Sequence, residues 1–522
     1  MPTFTAPTLS YGLLLPFVVI LVAACLGVLL EAAVPRGWRL GAQVGLTAVA
    51  IVVSVVVTIG NWLVAKPVID GVKAVAIDGP KYFMWLTLLV LGALAIFTFA
   101  DRRLEAGRAV FTAQAATVPG SVSETEANAA RVEHTEVFPL ALFALSGMML
   151  FPASNDLITM FIALEILSLP LYLLCGLARR RRLLSQEASM KYFLLGALSS
   201  AFFLYGVAML YGFSGSFRLG DIAAAVSGSN QGDGLLLAGM ALVAVGLFFK
   251  VSAVPFHAWT PDVYTGAPTV VTGFMASCTK LAAIGALMRV FYLAFGGVRW
   301  DWQPLMAVVA IASIAVGSLL AITQTDIKRM LAYSSIAHAG FLLTAVSGAY
   351  QLETGAKAGQ ITSMSSVLFY LATYGLSTIG AFAVVTMVRH NGGEVTTLSG
   401  WAGLAKKSPL LAAVFSLFLF SFAGIPLTAG FIGKWAVFAA AWAGGAHWLV
   451  VVAVVLSVVA AFFYVRVIVA MYLGTPAIGP MVVRAGLPTM AAVVIGAVAT
   501  LVLGIYPGPL LALAEHAGEF VR

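Results

Sequence analysis

Charged residues are scarce in this sequence. Only 10% of the 522 residues are Asp, Glu, Lys or Arg and 61% are hydrophobic, whereas in ordinary soluble domains about a quarter of the residues are charged. This imbalance excludes a chain whose main solvent is water. The net charge of +8 does not indicate nucleic-acid binding, because most basic residues lie in short loops between apolar runs rather than on one solvated face.

Cysteine is also scarce, and cofactor motifs are lacking. Cys25, Cys175 and Cys278 all lie inside apolar runs without CxxC or Cys/His spacing, so neither a disulfide framework nor a metal site is predicted. The sequence has no P-loop, no dinucleotide-binding glycine motif and no nucleophile elbow. We therefore expect no cofactor in this chain itself.

Long apolar runs are what the sequence has instead. A helix needs about 20 mostly apolar residues to cross the hydrocarbon core, and about fourteen such runs follow one another from residue 13 to residue 511. The sequence thus predicts an all-α polytopic membrane protein with about 14 transmembrane helices. The fourth run, Val137 to Phe151, is short, and the twelfth, Leu410 to Ala440, is too long for one straight span.

Basic residues fall mostly in the loops that follow odd-numbered runs. Because cytoplasmic loops carry the excess of Lys and Arg, we predict that the four arginines 179–182 face the cytoplasm of a bacterial inner (plasma) membrane. Both termini would then lie outside the cytoplasm. Residues 101–136 are rich in Ser, Thr and Glu without apolar periodicity, and we expect either a mobile loop or a docking surface there.

Two proline-interrupted segments resemble each other, around Pro255 in the seventh span and Pro426 in the twelfth. Proline removes an intrahelical hydrogen bond, and broken backbone at membrane depth survives only where protein or water satisfies it. The copies lie five spans apart, which predicts two inverted five-helix repeats, an arrangement found in ion transporters. The predicted units are 1–135 (helices 1–3 and the polar loop), 136–300 (helices 4–8), 301–475 (helices 9–13) and 476–522 (helix 14).

Four ionisable residues lie deep inside predicted spans. Glu165 is central in the fifth span and Lys280 is central in the eighth, whereas Lys250 and Lys434 lie near the two proline breaks. A charge at mid-bilayer costs roughly 2.5 to 3.5 kcal/mol, so four such residues facing lipid would cost on the order of 10 kcal/mol. We therefore predict that they face a polar interior.

The three lysines outnumber the central carboxylates. Glu165 can neutralise one of them, and we prefer Lys250 as its partner; a static buried ion pair or a packing hydrogen bond is the alternative for each residue. Burial without a counterion disfavours the charged form of an amine, so such a lysine can exchange a proton. Moving the carboxylate from about 4 to about 8 Å would weaken the attraction by roughly 2 kcal/mol, which would make the pair a switch.

Three further residues are candidates for a secondary role. Lys191, at the cytoplasmic start of the sixth span, is either an interfacial lysine that snorkels or a proton-entry residue. Histidine is the side chain that ordinarily titrates near neutrality, so His257 and His338 are either relay members or structural hydrogen-bond donors. Asp262, in the turn after the first break, is expected to cap a helix or anchor that loop.

Three segments carry a resemblance to a known family. They are KVSAVPFHAWTPDVYTGAPT from Lys250, continuing to Lys280; DIKRMLAYSSIAHAG from Asp326; and KYFLLGA from Lys191. They resemble the proton-pumping antiporter-like subunits of respiratory complex I and of Mrp-type cation/proton antiporters. The resemblance covers helices four to thirteen.

The resemblance implies a hydrated central axis, in which Glu165 and Lys250 form a pair, Lys280 is a relay and Lys434 is the terminal residue. Within the family, a lysine at the last position and a short segment after the last span distinguish one branch. Flavin, iron–sulfur clusters and quinone are then expected in partner subunits, so that this chain is not catalytic alone. Its expected partners are antiporter-like subunit M on one side, small membrane subunits on the other, and the lipid bilayer.

Two other functions remain open on the sequence. An Mrp antiporter subunit would exchange sodium for protons, whereas a stand-alone transporter of a small organic substrate would be active as an isolated chain. The direction of proton movement and the number of protons per turnover do not follow from the sequence.

Overall fold

The computed structural model describes residues 10–70, 73–105, 107–130, 133–228, 234–349, 361–390, 393–475 and 481–521. The apolar runs within them form helices, which satisfy their backbone N–H and C=O groups internally, as a hydrocarbon environment requires. The helices are α1 (Tyr11–Ala33), α2 (Arg36–Val64), α3 (Gly79–Thr98), α4 (Val122–Ala129), α5 (Val137–Ala153), α6 (Leu157–Cys175), α7 (Arg182–Ser214), α8 (Leu219–Gly228), α9 (Gly234–Val251), α10 (Trp259–Gly266), α11 (Thr269–Ala294), α12 (Arg299–Thr323), α13 (Ile327–Ser347), α14 (Ser363–Met387), α15 (Leu404–Lys407), α16 (Pro409–Ala423), α17 (Ala429–Ala443), α18 (His447–Leu473), α19 (Leu487–Ile505) and α20 (Gly508–His516). The short strands are β1 (Val68–Asp70), β2 (Val75–Ile77), β3 (Val388–His390), β4 (Gly393–Glu394) and β5 (Met481–Val482).

Among the described residues, 12 helices are long and apolar enough to cross a membrane. The prediction of an all-α polytopic membrane protein is confirmed. Two predicted spans are not among the 12. One is α5, whose 17 residues give a length of about 25 Å; the other is the predicted twelfth span, which consists of α16 and α17 with 15 residues each. The count of fourteen crossings and the two inverted repeats stay predictions.

Both predicted helix breaks are confirmed. The helix α9 ends at Val251, and residues 252–258 form turns around Pro255 before α10 begins. The second break lies between α16 and α17, where Gly424 has φ +81° and Leu427 has φ +69°. These left-handed conformations cannot continue a right-handed helix, so the backbone leaves helical geometry on both sides of Pro426.

Aspartates fix the starts of three helices. The side chains of Asp78, Asp156 and Asp326 accept hydrogen bonds from backbone N–H groups in the first turns of α3, α6 and α13, at 3.0, 2.7 and 2.9 Å. Each cap satisfies an N–H that has no partner within its helix. Each of these helices therefore begins at the residue that directly follows its aspartate.

The core lies around two central helices. In α11 and α13 all of the most apolar 18 residues are buried inside the protein, against 28% in α1. The helix α11 carries Lys280, and α13 carries His338. Two candidate site residues therefore lie on helices that have almost no contact with lipid.

The strand pairings agree with the predicted alternation of sides. β1 pairs with β2, and β3 pairs with both β4 and β5, all antiparallel. Isolated bridges join residues 75 with 154, 156 with 218, 111 with 178, and 326 with 397. Every one of these pairings joins segments predicted on the same side of the membrane, whereas the assignment of one side to the cytoplasm stays a prediction.

The described residues of the polar stretch 101–136 are partly packed against the protein, and the expectation of a mobile loop or a docking surface stays a prediction. Phe111 is fully buried, and residues 122–129 form α4. The guanidinium of Arg182 donates to the hydroxyl of Thr117 at 2.8 Å and to the carboxylate of Glu124 at 2.9 Å. A backbone N–H from Gly120 and the Arg182 side chain hold the pKa of the Glu124 carboxyl below its usual range. Arg182 therefore binds this stretch to the start of α7, a contact that hydropathy alone could not predict.

Candidate functional site

The three predicted lysines are buried inside the protein. Lys250 and Lys280 are each 2% exposed, and Lys434 is 5% exposed. Within the described part of the chain, none of them lies within 4 Å of a carboxylate. Their amines face polar protein groups, as predicted from the cost of placing charge in lipid.

Lys250 lies at the C-terminal end of α9, one residue before the break. Its amine donates to the hydroxyl of Ser168 on α6 at 2.7 Å and lies 5.6 and 5.4 Å from the ring centres of Tyr172 and Tyr192. The carboxylate of the preferred partner, Glu165, is not bonded to it directly. Ser168 follows Glu165 by about one turn of α6, so both residues lie on the same face of that helix.

Several polar atoms on α6, on α7 and in the segment 257–260 are buried without a hydrogen-bond partner among the described residues. They are Glu165 Oε1, Tyr172 OH, Tyr192 OH, His257 Nδ1 and Thr260 Oγ1. Buried polar atoms in native proteins are nearly always hydrogen-bonded to protein or to water. The region around the first break therefore has the polarity that a chain of water molecules requires.

Lys280 follows a π-helical turn, Met275–Thr279, inside α11. Such turns widen a helix locally and often occur at functional sites. The Lys280 amine donates to the backbone carbonyl of Ser335 and to its hydroxyl, the latter at 2.6 Å. It also lies 5.6 Å from the ring centre of Tyr374. Lys280 is thus anchored to α13 rather than to a carboxylate.

His338 lies one turn beyond Ser335 on α13 and is buried. Its Nδ1 is 2.6 Å from the hydroxyl of Tyr370 on α14, and its Nε2 is 3.2 Å from the hydroxyl of Tyr464 on α18. The Tyr464 hydroxyl is also hydrogen-bonded to Ser334. Both ring nitrogens therefore have a partner that can donate or accept a proton.

Lys434 lies in α17, after the second break. Its amine donates to the backbone carbonyl of Ala423, the last residue of α16, at 2.9 Å and to the hydroxyl of Ser457 at 3.0 Å. The amine lies 4.5 Å from the ring centre of Phe341, and the ring of His338 is 5.7 Å from the same ring. A cation at the C-terminal end of a half-helix is favoured by the helix dipole.

The structure brings Lys280, His338 and Lys434 together through shared aromatic neighbours. The ring of His338 is 4.6 Å from that of Tyr374, which Lys280 faces, and it contacts Phe341, which Lys434 faces. Lys250 and Glu165 form a separate group on α6 and α9. No hydrogen bond between described residues joins the two groups.

Lys191 and Asp262 belong to an ion-pair network. The Lys191 amine lies 2.7 Å from Asp262 and 2.7 Å from Glu187, and Arg329 lies 2.8 Å from the other oxygen of Asp262. Asp262 lies in α10, and its carboxylate anchors that segment by bridging α7 and α13 rather than by capping a helix. Lys191 lies nine residues inside α7, which begins at Arg182, so it does not open that helix.

Several buried cations were not predicted as site residues: Lys81 and Lys328 lie just before the predicted third and tenth spans, and Arg289 lies inside the eighth. Lys81 is fully buried near the start of α3, 3.8 Å from the ring centre of Trp85. Arg289, inside α11, pairs with Asp78 at 2.9 Å, and both side chains are fully buried. Lys328, the second residue of α13, is 3% exposed. A window test for single charges at span ends could have identified them.

The described residues contain no group of His, Cys, Asp and Glu that could hold a metal ion. A helical membrane fold with two broken spans and buried lysines beside them defines the class of antiporter-like membrane proteins. A family model described as "NADH:quinone oxidoreductase/Mrp antiporter, TM" matches residues 154–460.

Curated relatives give the particular family. NADH-quinone oxidoreductase subunit N of a Nocardioides species is 53% identical over 99% of this chain and 100% of its own length. The subunit N of Saccharopolyspora erythraea is 54% identical over 98% of each chain. This chain belongs to the NADH-quinone oxidoreductase subunit N family.

Solved structures agree with this assignment. A chain in the structure of respiratory complex I from Thermus thermophilus with bound aureothin is 33% identical, with TM-score 0.75, over 97% of this chain and 100% of that one. A chain of the Mrp complex from a Dietzia species has TM-score 0.79 at 22% identity, over 98% of this chain and 97% of that one. The second likeness shows a shared fold.

Proposed function

We propose that this chain translocates protons in the membrane arm of an NADH-quinone oxidoreductase. The path runs from Glu165 and Lys250 through Lys280 and His338 to Lys434, with water between the two groups. Electron transfer through flavin, iron–sulfur clusters and quinone belongs to partner subunits and drives the path from outside this chain. Antiporter-like subunit M and small membrane subunits are the proposed neighbours.

The observation that carries the proposal is the set of three buried amines without a carboxylate within 4 Å among the described residues. A buried lone cation is costly, and desolvation favours the neutral amine. Each lysine can therefore take up and release a proton when a nearby charge changes. Hydroxyl and carbonyl groups, which bind both forms, are the partners that such a group needs.

Hydration of the first group is supported by its unpartnered polar atoms. Glu165 Oε1 and His257 Nδ1 are buried without a protein partner in the described part of the chain, and water is the ordinary partner of such atoms. We assign Glu165 the role of the charge that biases Lys250. His257 takes part through water, and Lys191 is a secondary entry residue held by Asp262.

The test is Glu165→Gln in the whole complex, reconstituted in proteoliposomes. A glutamine keeps the size of the side chain but removes the charge, so we expect proton pumping per NADH oxidised to fall by about 30-fold, as an attraction of roughly 2 kcal/mol implies. Pumping is measured with a pH-sensitive dye and NADH oxidation by absorbance. Full pumping in this variant would rule out Glu165 as the switch.

A matched control separates the path from general effects on assembly. Lys406→Met removes a lysine that is exposed in α15 and lies outside the path, so pumping should be unchanged. Replacing sodium with potassium in the same assay distinguishes the Mrp-type alternative, because a sodium/proton exchanger would lose its activity. Unchanged pumping without sodium supports the proposal.

A further inference from the structure

A cavity of about 520 Å³ opens on the side of the membrane that carries the arginine run. Ligand pockets for small molecules commonly have volumes of about 300–1,000 Å³. The cavity lies between the end of α6, the start of α11 and the β3–β4 hairpin. Its lining includes the four cations Arg179, Arg180, Arg181 and Lys328, and two carboxylates, Glu105 and Glu394.

The two carboxylates of the cavity are already bonded to protein groups. Glu105 pairs with Arg180 at 3.1 Å and with Arg389 at 2.5 Å. Glu394 accepts a hydrogen bond from the Thr269 hydroxyl at 2.5 Å and lies 3.6 Å from Arg389. Among the described residues, these carboxylates therefore bond to Arg180, Arg389 and Thr269 and not to Lys328.

Two cations of the cavity have only neutral partners among the described residues. Arg181 donates to the hydroxyl of Thr396 at 3.3 Å and to the carbonyl of Glu394 at 3.4 Å. Lys328, at the buried end of the cavity, donates to the carbonyl of Ala267 at 2.8 Å. Arg181 is exposed, whereas Lys328 is 3% exposed. A buried cation without a bonded carboxylate is destabilising, so an anion at the buried end of the cavity would offset that cost.

The start of α11 adds to the attraction for an anion. Thr269 and Val270, its first residues, line the cavity, and its N-cap residue Pro268 provides no side-chain cap. The first N–H groups of a helix have no partner within it and favour negative charge. Arginine side chains and a helix N-terminus together match the geometry of a phosphate group.

We propose that this cavity binds a phosphate-bearing anion, with Lys328 at its buried end and Arg180 and Arg181 at its mouth. The phosphate is either the headgroup of an anionic phospholipid or a soluble phosphate compound. The two sources share the same charge and hydrogen-bonding oxygens. Binding at this site is separate from proton transfer along the buried lysines.

The first experiment uses the unmodified complex. Phenylglyoxal reacts with exposed arginines, and mass spectrometry measures its rate at Arg180, whose side chain is 52% exposed. Inorganic phosphate should slow modification of Arg180 by about fivefold or more relative to chloride at equal ionic strength. Arg103, exposed on the same side outside the cavity, is the internal control. Equal rates at Arg180 with phosphate and with chloride, in detergent and in anionic lipid, would overturn the proposal.

The second experiment distinguishes the two sources. The complex is placed in nanodiscs of phosphatidylglycerol or of phosphatidylcholine without inorganic phosphate. Protection of Arg180 in phosphatidylglycerol alone identifies a lipid headgroup, whereas protection only after phosphate is added identifies a soluble anion. Both results support an anion site.

A variant tests the buried end of the cavity. Lys328→Met should raise the phosphate concentration needed for half-protection of Arg180 by about tenfold or more, since a charge-assisted hydrogen bond is lost. Arg103→Gln removes the same charge from the same side and should leave that concentration unchanged. An unchanged value in Lys328→Met would show that the anion does not reach Lys328. If that variant does not assemble, the protection of the unmodified complex decides.

Discussion

The two broken spans hold their lysines in different ways. Lys250 lies just before the first break, and its amine donates to the hydroxyl of Ser168 on the neighbouring helix α6. Lys434 lies after the second break, and its amine reaches back to the carbonyl of Ala423. The first lysine depends on a side chain of another helix, whereas the second is tied to backbone freed by its own break.

This difference shows that two helix breaks can hold a neighbouring lysine amine with different firmness. The carbonyl of Ala423 is part of the backbone, so its position is fixed by the ends of α16 and α17. Ser168 can turn about its side-chain bond, and it also donates to the carbonyl of Leu164. We infer that the amine of Lys250 is the easier of the two to release.

The largest effect is expected at the close packing of the second break. In Gly430→Ala the added Cβ would lie 1.9 Å from the backbone oxygen of Ser421, so the two half-helices would have to separate. Overpacking of this kind costs about 1–3 kcal/mol or more. We expect a lower thermal unfolding temperature of the purified complex, measured by differential scanning fluorimetry, together with loss of pumping.

The control for this prediction is Gly220→Ala in α8, where nothing lies within 4 Å of an added Cβ. That variant should unfold at the same temperature as the unmodified complex or slightly above it, since alanine favours helix. A Gly430→Ala complex as stable as the control would show that the half-helices are not tightly held.

A smaller effect is expected at the first break. Ser168→Ala removes the one hydrogen-bond acceptor of Lys250 found among the described residues, a loss of about 1.5–3 kcal/mol for a charged donor. We expect proton pumping to fall by about tenfold, while Ser168→Thr restores most of it. If proton pumping were lower in Ser168→Thr than in Ser168→Ala, the volume of the side chain rather than its hydroxyl would control pumping. That result would contradict this role.

The smallest effect is expected for the matching change at the second break. Ser457→Ala removes one of two partners of Lys434, and the carbonyl of Ala423 remains at 2.9 Å. We expect a change in pumping of about twofold or less, because a single remaining acceptor still holds the amine. A drop as large as that of Ser168→Ala would abolish the distinction between the two breaks.

Much of the fold could be predicted because hydropathy and proline are local signals. Apolar runs of spanning length predicted the membrane helices, and Pro255 and Pro426 predicted the breaks. The lysines could be singled out since a cation in an apolar run is costly wherever the run folds.

The partners of those lysines could not be predicted. Each lysine binds a serine on another helix, at a distance along the chain of 82 residues for Ser168, 55 for Ser335 and 23 for Ser457. Serine is also common in membrane helices. The Lys250 amine meets Ser168, one helical turn from Glu165, and the pairing of Lys250 with Glu165 stays a prediction. Which of two neighbouring polar groups meets an amine depends on helix rotation, which the sequence pattern leaves open.

By itself, the sequence determined that this chain spans a membrane many times, that two spans are interrupted, and that amines lie within them. These properties follow from the transfer free energies of single residues and from proline geometry, which act locally. Only the tertiary structure decided which hydroxyl or carbonyl each amine meets, that Thr117 and Glu124 bind Arg182, and that cations line a cavity beside α11. Those outcomes depend on how helices far apart in the chain rotate and pack against one another, and no short segment encodes that arrangement.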